Sequence, residues 1–236
     1  MVTSGALALG VGSFDRVILR HDRPDAACLV DEGAWPAVVT FFGGDGAGTL
    51  IADRWLLTAA HTARNIPGEH RVTVGSHERR IVAVVVHPDG VDLALVEVDG
   101  PVEDVAPLAL HERADEVGAE ALLLGRGDFG NGVDGVLGTD HRLRCVTNRV
   151  EDADDLWLRL RFDPPPGCTA LEGVGGEGDS GGPALLRAGD VLTVAGVSSW
   201  QDHEGPLGTY GCVEHYARVS AHAGWIRATC AGTTPR

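Results

Sequence analysis

The chain has 236 residues, a formal net charge of −15 and 44% hydrophobic residues. This length and apolar content suit one large globular domain or two small ones and exclude a disordered chain. The acidic balance argues against a nucleic-acid partner, which needs a basic surface, and no apolar run approaches a membrane span.

Residues 1–16 hold a short apolar stretch with no Lys or Arg before it. A secretory signal has a basic start and a longer apolar core, so this segment reads as a signal remnant or a pro-segment. Residues 36–42 (PAVVTFF) read as a buried strand, and Gly43-Gly44-Asp45-Gly46 as a turn. Trp55-Leu56-Leu57-Thr58 is a hydrophobic strand that runs into the small pair Ala59-Ala60 and then His61. Residues 80–86 (RIVAVVV) are rich in β-branched side chains, which favour strands. Asp92 opens the apolar run Leu93-Ala94-Leu95-Val96. The charged stretch 111–119 separates two β-rich halves, about 17–115 and 116–236. In the second half, 156–162 alternates as a half-exposed strand should, and 191–200 is another strand. Residues 220–229 form the one good helix candidate, with Ser220 as N-cap. Many short strands punctuated by Gly, Asp and Pro, with little helix, indicate an all-β fold of barrels or sandwiches.

The hexapeptide Gly178-Asp179-Ser180-Gly181-Gly182-Pro183 carries the chemistry. Its glycines leave the serine hydroxyl uncrowded and let the backbone bend tightly around it. By average residue usage a given six-residue string turns up on the order of once in 10,000 chains of this length, so chance is a poor explanation. A serine hydroxyl is a weak nucleophile and needs a base within hydrogen-bond reach. Histidine suits that task, its ordinary pKa lying near neutrality. Among ten histidines, His61 is singled out by the strand and small-residue turn that deliver it. An acid that abuts an apolar run needs a partner, and Asp92 supplies the group that would orient His61. The order His, Asp, Ser along the chain carries weight, because the same chemistry occurs on unrelated folds in other orders.

Leu57-Thr58-Ala59-Ala60-His61, Asp92-Leu93-Ala94-Leu95 and the serine hexapeptide together resemble the trypsin/chymotrypsin-like serine endopeptidases, over residues 17–229. The resemblance implies two six-stranded antiparallel β-barrels and a C-terminal helix, with the active site between the barrels. It implies His61 as general base, Asp92 as its orienting acid, Ser180 as nucleophile, and the N–H groups of Gly178 and Ser180 as oxyanion hole. Ser199 matches a serine that hydrogen-bonds the aspartate. Asp179 matches the acid that pairs with a new N-terminal ammonium on activation. A tryptic cut after Arg16 would expose Val17-Ile18, although Leu19-Arg20 replaces the glycine pair that commonly follows.

The specificity pocket departs furthest from the pattern. Val174 stands where trypsin-type pockets carry aspartate, Trp200 matches a wall residue, and Gln201 replaces a common glycine at the entrance. Glu214 falls near another pocket-lining position, and a carboxylate there would select Arg or Lys before the scissile bond; the other reading turns it to solvent. The resemblance further implies a secreted monomer acting on protein or peptide substrates, with no metal and no cofactor. Of the five cysteines, it pairs Cys28 with Cys145 and, more speculatively, Cys168 with Cys212, leaving Cys230 over. A disulfide found in many relatives is excluded, since its two places hold Thr62 and Gly46. The alternative is a cytosolic protein with all five thiols reduced.

Three other readings are weighed. Gly-Asp-Ser-Gly-Gly also fits the nucleophile elbow of α/β-hydrolases, but Gly181-Gly182-Pro183 is a poor helix start and the chain lacks alternating βα units. A catalytically inactive relative serving as a binding module is the main alternative function. The acidic run Glu151-Asp152-Ala153-Asp154-Asp155 offers hard ligands for calcium, but is read as a solvated loop.

Overall fold

The computed structural model describes residues 17–67 and 70–232; the segment read as signal remnant or pro-segment lies outside them. Its elements in chain order begin with β1 (Val17–Leu19), β2 (Val38–Phe41), β3 (Gly46–Ala52), β4 (Trp55–Thr58) and the single-turn helix α1 (Ala60–Ala63). There follow β5 (Arg71–Val74), β6 (His77–Val86), β7 (Ala94–Val98), β8 (Ala109–Leu110), β9 (Glu120–Gly125), β10 (Phe129–Asn131) and β11 (Gly135–Gly138). The chain ends with β12 (Arg144–Ala153), β13 (Trp157–Arg161), β14 (Gly173–Val174), β15 (Pro183–Ala188), β16 (Val191–Asp202), β17 (Val213–Arg218) and helix α2 (Val219–Cys230).

The first half forms a six-stranded sheet in the order β2-β3-β4-β7-β6-β5. Its two ends meet where the Gly75 N–H donates to the Pro36 carbonyl at 3.2 Å. In the second half β15-β9-β12-β13-β17-β16 closes into a ring of six through the pairing of β15 with β16, and β8 adds parallel to β16. Two six-stranded barrels and a C-terminal helix result, as the resemblance implies. The short β1 pairs in the second half, parallel to β10 and antiparallel to β14.

Successive residues of a strand face opposite sides, and in β4 both sides are covered. Leu56 points into the first barrel with Phe41, Leu50 and Val96, while Leu57 joins Leu93, Leu95, Leu124, Leu185 and Val197 between the barrels. This double burial explains why the strand leading to His61 is a continuous apolar run rather than an alternating one. The second barrel is filled by Leu123, Val146, Val150, Leu158, Leu160 and Tyr216.

Four expectations change. Helix α2 begins one residue earlier than read, with Arg218 at the N-cap position and no side-chain cap bond. Ser220 lies inside the first turn and donates instead to Glu116 Oε1 at 2.5 Å, because that buried carboxylate gathers both Ser220 and Arg218. All five cysteines are free thiols. The Cys145 N–H donates to the Cys28 carbonyl at 2.8 Å, but Cys28 Sγ turns to the Asp25 carbonyl, 3.0 Å away, so the pairing implied by the resemblance is not formed. Cys212 is buried with Ile18, Phe162 and Val174, whereas Cys168 is half-buried, and these two are likewise unbonded. The acidic run 151–155, read as a loop, is the end of β12 as far as Ala153, and across its pairing with β13 Arg159 meets Asp152 and Asp154 while Arg161 meets Glu151.

Candidate active site

β4 ends with Thr58, whose hydroxyl donates to the Ala47 carbonyl at 2.7 Å, and α1 then carries His61. The Asp92 carboxylate holds this histidine at two points. Oδ1 accepts the His61 backbone N–H at 2.9 Å, and Oδ2 lies 2.7 Å from His61 Nδ1. The Ser199 hydroxyl, from β16 of the other barrel, donates to the same Oδ2 at 2.5 Å. A carboxylate on Nδ1 keeps the imidazole proton there and leaves Nε2 as the acceptor. Burial works to raise the Asp92 carboxyl, but the hydrogen bonds from His61 and Ser199 outweigh it and hold the group below the ordinary carboxylate range.

Ser180 sits in a loop tied to both barrels. The Ala47 N–H donates to the Ser180 carbonyl at 2.8 Å, and the Gly181 N–H donates to the Ser198 carbonyl at 2.8 Å. Gly181 has φ +87°, and a Cβ there would stand 2.2 Å from both the Ala47 oxygen and Thr58 Oγ1, so this approach between barrels requires glycine. Thr62, beside His61, donates to the Ser180 carbonyl at 3.3 Å. A Cβ on Gly46 would meet the Thr62 methyl at 2.8 Å, so threonine fills the place where many relatives keep a disulfide. Among the described residues the N–H groups of Gly178 and Ser180 have no acceptor, which leaves two neighbouring donors free beside the hydroxyl.

Asp179 is buried, and its carboxylate accepts the N–H groups of Gly127 and Gly176 at 2.5 and 2.8 Å. Val17, Asp179, Ser198 and Tyr216 line one small cavity. The Val17 N–H donates to the Asp128 carbonyl at 3.1 Å, and its φ of +69° is a strained value for a β-branched residue.

Beside Ser180 opens a second cavity of about 160 Å³. Ser199, Trp200, Gln201 and Glu214 line it together with Gly175, Ser198 and Leu207. Val174 does not: it pairs with Ile18 and packs against Phe162 and Cys212, behind the wall. Glu214 is 3% exposed, so it is not turned to solvent. Its Oε2 accepts the Gly175 N–H at 2.7 Å and its Oε1 the Ser198 hydroxyl at 3.2 Å, while the Tyr216 hydroxyl is a further partner. Burial pushes the Glu214 carboxyl up to about 7, and no cation pairs with it among the described residues. A Cβ on residue 175 would stand 2.6 Å from Oε1, so glycine there makes room for the carboxylate. Gln201 lines the cavity, and its Oε1 accepts the Gly208 N–H at 2.9 Å. The Trp200 ring stacks face to face on His215, 3.7 Å between centroids.

Sequence reasoning missed Gly175, Ser198, His215 and Tyr216. The one signal available was the two-residue spacing of Glu214 and Tyr216, which puts them on the same face of a strand. Ser198 and His215 need the cross-strand register of β16 and β17, and Gly175 the approach of the loop after β14 to Glu214.

The chain is similar to known proteins in sequence and in fold. "Snake venom serine proteinase 14" of Crotalus adamanteus is 26% identical over 234 aligned positions, covering 88% of this chain and 86% of that protein. "Snake venom serine protease Haly-2" of Gloydius brevicauda matches to the same extent. The solved structure of neuropsin, described as a serine protease expressed in the limbic system of mouse brain, superposes with a TM-score of 0.68 over 86% of this chain and 98% of its own. At 20% identity it shows likeness of fold. The trypsin family model matches residues 29–226, from the segment before the first barrel into the C-terminal helix, and the chain belongs to that family, the trypsin/chymotrypsin-like serine endopeptidases.

Proposed function

We propose that the protein is an active endopeptidase that hydrolyses peptide bonds through an acyl-enzyme on Ser180. The observation that carries this reading is the 2.7 Å contact between Asp92 and His61 Nδ1, with Asp92 braced in turn by Ser199. Nε2 takes the Ser180 proton as the hydroxyl attacks the scissile carbonyl, and the imidazolium then gives that proton to the leaving amine. Asp92 stabilises the imidazolium without becoming protonated. The unaccepted N–H groups of Gly178 and Ser180 serve the developing oxyanion, and losing one such donor typically costs about 2.7–4 kcal/mol of barrier. Water repeats the cycle on the acyl-enzyme. These side chains and amides handle the proton and the charge, so the reading calls for no metal or cofactor. Protonation of His61 would stop the reaction.

Glu214 supports a preference for Lys or Arg before the scissile bond. A buried carboxylate without a cation is costly, and a cationic side chain entering the cavity relieves it. The protein would work outside the cytoplasm as a monomer on protein or peptide substrates; both curated relatives are venom proteases by name. The barrels would divide the chain near residue 115.

Activation by a cut after Arg16 belongs to the same reading. The new ammonium of Val17 would turn to Asp179, which lines the same cavity. A left-handed φ at a β-branched residue costs on the order of 1–3 kcal/mol, and removal of the preceding peptide ends that constraint. The test is fluorophosphonate labelling read by intact mass, on the whole chain and on a chain beginning at Val17, each with a Ser180→Ala control. Labelling confined to the Val17 form is expected. Equal labelling keeps the enzyme and discards the activation step. No labelling of either folded form overturns catalysis and makes the protein a binding module.

A further inference from the structure

We propose that the cavity beside Ser180 takes two classes of side chain and that the proton on Glu214 chooses between them: the carboxylate admits Lys or Arg, the acid form admits neutral side chains. This rests on the specificity reading above and adds a second substrate class to it.

The groups facing Glu214 make both forms tenable. From its own strand β17 comes the Tyr216 hydroxyl, and from β16 the Ser198 hydroxyl. The loop after β14 supplies the Gly175 N–H, and the loop before Ser180 the Asp179 carboxylate. The Cys212 thiol lies within electrostatic range at the start of β17. None of these is a cation in the uncut chain; on activation the Val17 ammonium joins Asp179 and offsets that carboxylate, which leaves burial, the larger cause, to raise Glu214. An amide N–H only donates, so Oε2 stays an acceptor in either form. Hydroxyls both donate and accept, so a proton on Oε1 is met by Ser198 Oγ turning from donor to acceptor. Protonation therefore orphans no buried group. An arginine or further amides in place of the hydroxyls would have opposed it.

The charged form is disfavoured by burial and by Asp179, and this pushes the carboxyl up to about 7. The direction follows. Below that value the pocket floor is a neutral acid and a cationic side chain gains nothing there. Above it the floor is an unpaired anion that a cation completes, and a neutral side chain leaves its burial cost standing.

The test is kcat/KM for two peptides differing only in Lys or Leu before the scissile bond, measured across pH on the activated protein. Protonation of His61 slows both peptides alike and cancels in the ratio. Because Lys enters on the carboxylate and Leu on the acid form, the Lys/Leu ratio is expected to rise about 10-fold per pH unit, or about 300-fold between about pH 5.5 and about pH 8. Tyr216→Phe removes a donor to the carboxylate and should move the midpoint upward. Glu214→Gln, its folding checked by thermal denaturation, should flatten the profile. A ratio that favours Lys but does not change with pH overturns the two-class pocket and leaves the basic preference intact. A ratio that never favours Lys overturns the basic preference itself. Should Glu214→Gln fail to fold, the wild-type and Tyr216→Phe profiles decide.

Discussion

At Asp92 a single carboxylate joins the two barrels. It is anchored on the first barrel by the backbone and ring of His61, and Ser199 reaches it from the second. Both oxygens are engaged, so the imidazole has little freedom to turn. Ser199→Ala removes one hydrogen bond to a charged acceptor, an interaction worth about 1.5–3 kcal/mol. On the proposed mechanism kcat/KM should fall about 10- to 100-fold, while fluorophosphonate labelling of Ser180 slows but persists. An undiminished kcat/KM would show that His61 alone fixes Asp92. The residues of this constellation were legible because each belongs to a short motif with its own chemical reason. The pocket was less so. Val174 was singled out by counting back from Ser180, yet β14 pairs with β1 and keeps that side chain behind the wall. Glu214 was found by counting back from Tyr216-Ala217-Arg218-Val219, but its acceptance of Gly175 and Ser198 depends on segments that meet only in three dimensions.

At the scale of elements, α2 shows how a distant partner overrides a local rule. Serine is a favoured N-cap, and Ser220 lies near the start of the apolar helix pattern. Glu116, 102 positions before Arg218, decides otherwise. Its carboxylate accepts Arg218 Nε at 2.9 Å and Nη2 at 2.8 Å, and draws the Ser220 hydroxyl to Oε1. Glu116 is 1% exposed, so this trio fastens the helix to the stretch that joins the barrels. Burial works to raise its carboxyl, and the bonds from Arg218 and Ser220 outweigh burial and hold it below the ordinary range. A depressed carboxyl contributes stability that is present above its unfolded value and is lost as pH falls through its folded value. Breaking a buried pair from one side costs about 3–5 kcal/mol. Glu116→Gln should therefore lower the urea midpoint strongly near neutral pH. The gap from wild type should begin to narrow as pH drops below the ordinary carboxylate value of about 4.3, where the unfolded chain takes up the proton, and narrow further as pH falls through the lowered folded value. A gap that is constant with pH would assign the loss to packing instead.

In the whole molecule, the site is assembled from segments that the chain order keeps apart, with His61 and Asp92 carried by one barrel and Ser180 and Ser199 by the other. The two β-rich halves could be read from β-branched runs and turn residues. Ring closure through β15 and β16, and the docking of β1 and β8 on the second half, could not, because short strands carry no periodicity that names a partner. The same limit hid what binds residues 25–31 to the second barrel. Sequence reasoning placed a Cys28–Cys145 bond there; the structure puts an arginine at that point. Arg144 is fully buried and bonds Asp25 Oδ1 and Oδ2 at 2.9 and 3.0 Å and Asp140 at 3.1 Å, its guanidinium 5.8 Å from the Phe129 ring centroid. A planar fork of donors suits two carboxylates at once, which lysine would not match. Arg144→Leu keeps an aliphatic side chain there but takes the cation from Asp25 and leaves Asp140 with the longer Arg142 contact at 3.9 Å. The expected loss is about 3–5 kcal/mol, or a fall in Tm of about 6–20 °C for a chain of this size. Hydrogen exchange should quicken first at residues 28–31, where the Val30 N–H donates to the Leu143 carbonyl at 3.2 Å. A double variant with Asp25→Asn and Asp140→Asn separates charge from shape. If those changes restore most of the lost stability, the arginine acts by neutralising the acids; if they do not, its hydrogen-bond geometry and its contact with Phe129 hold the segment in place.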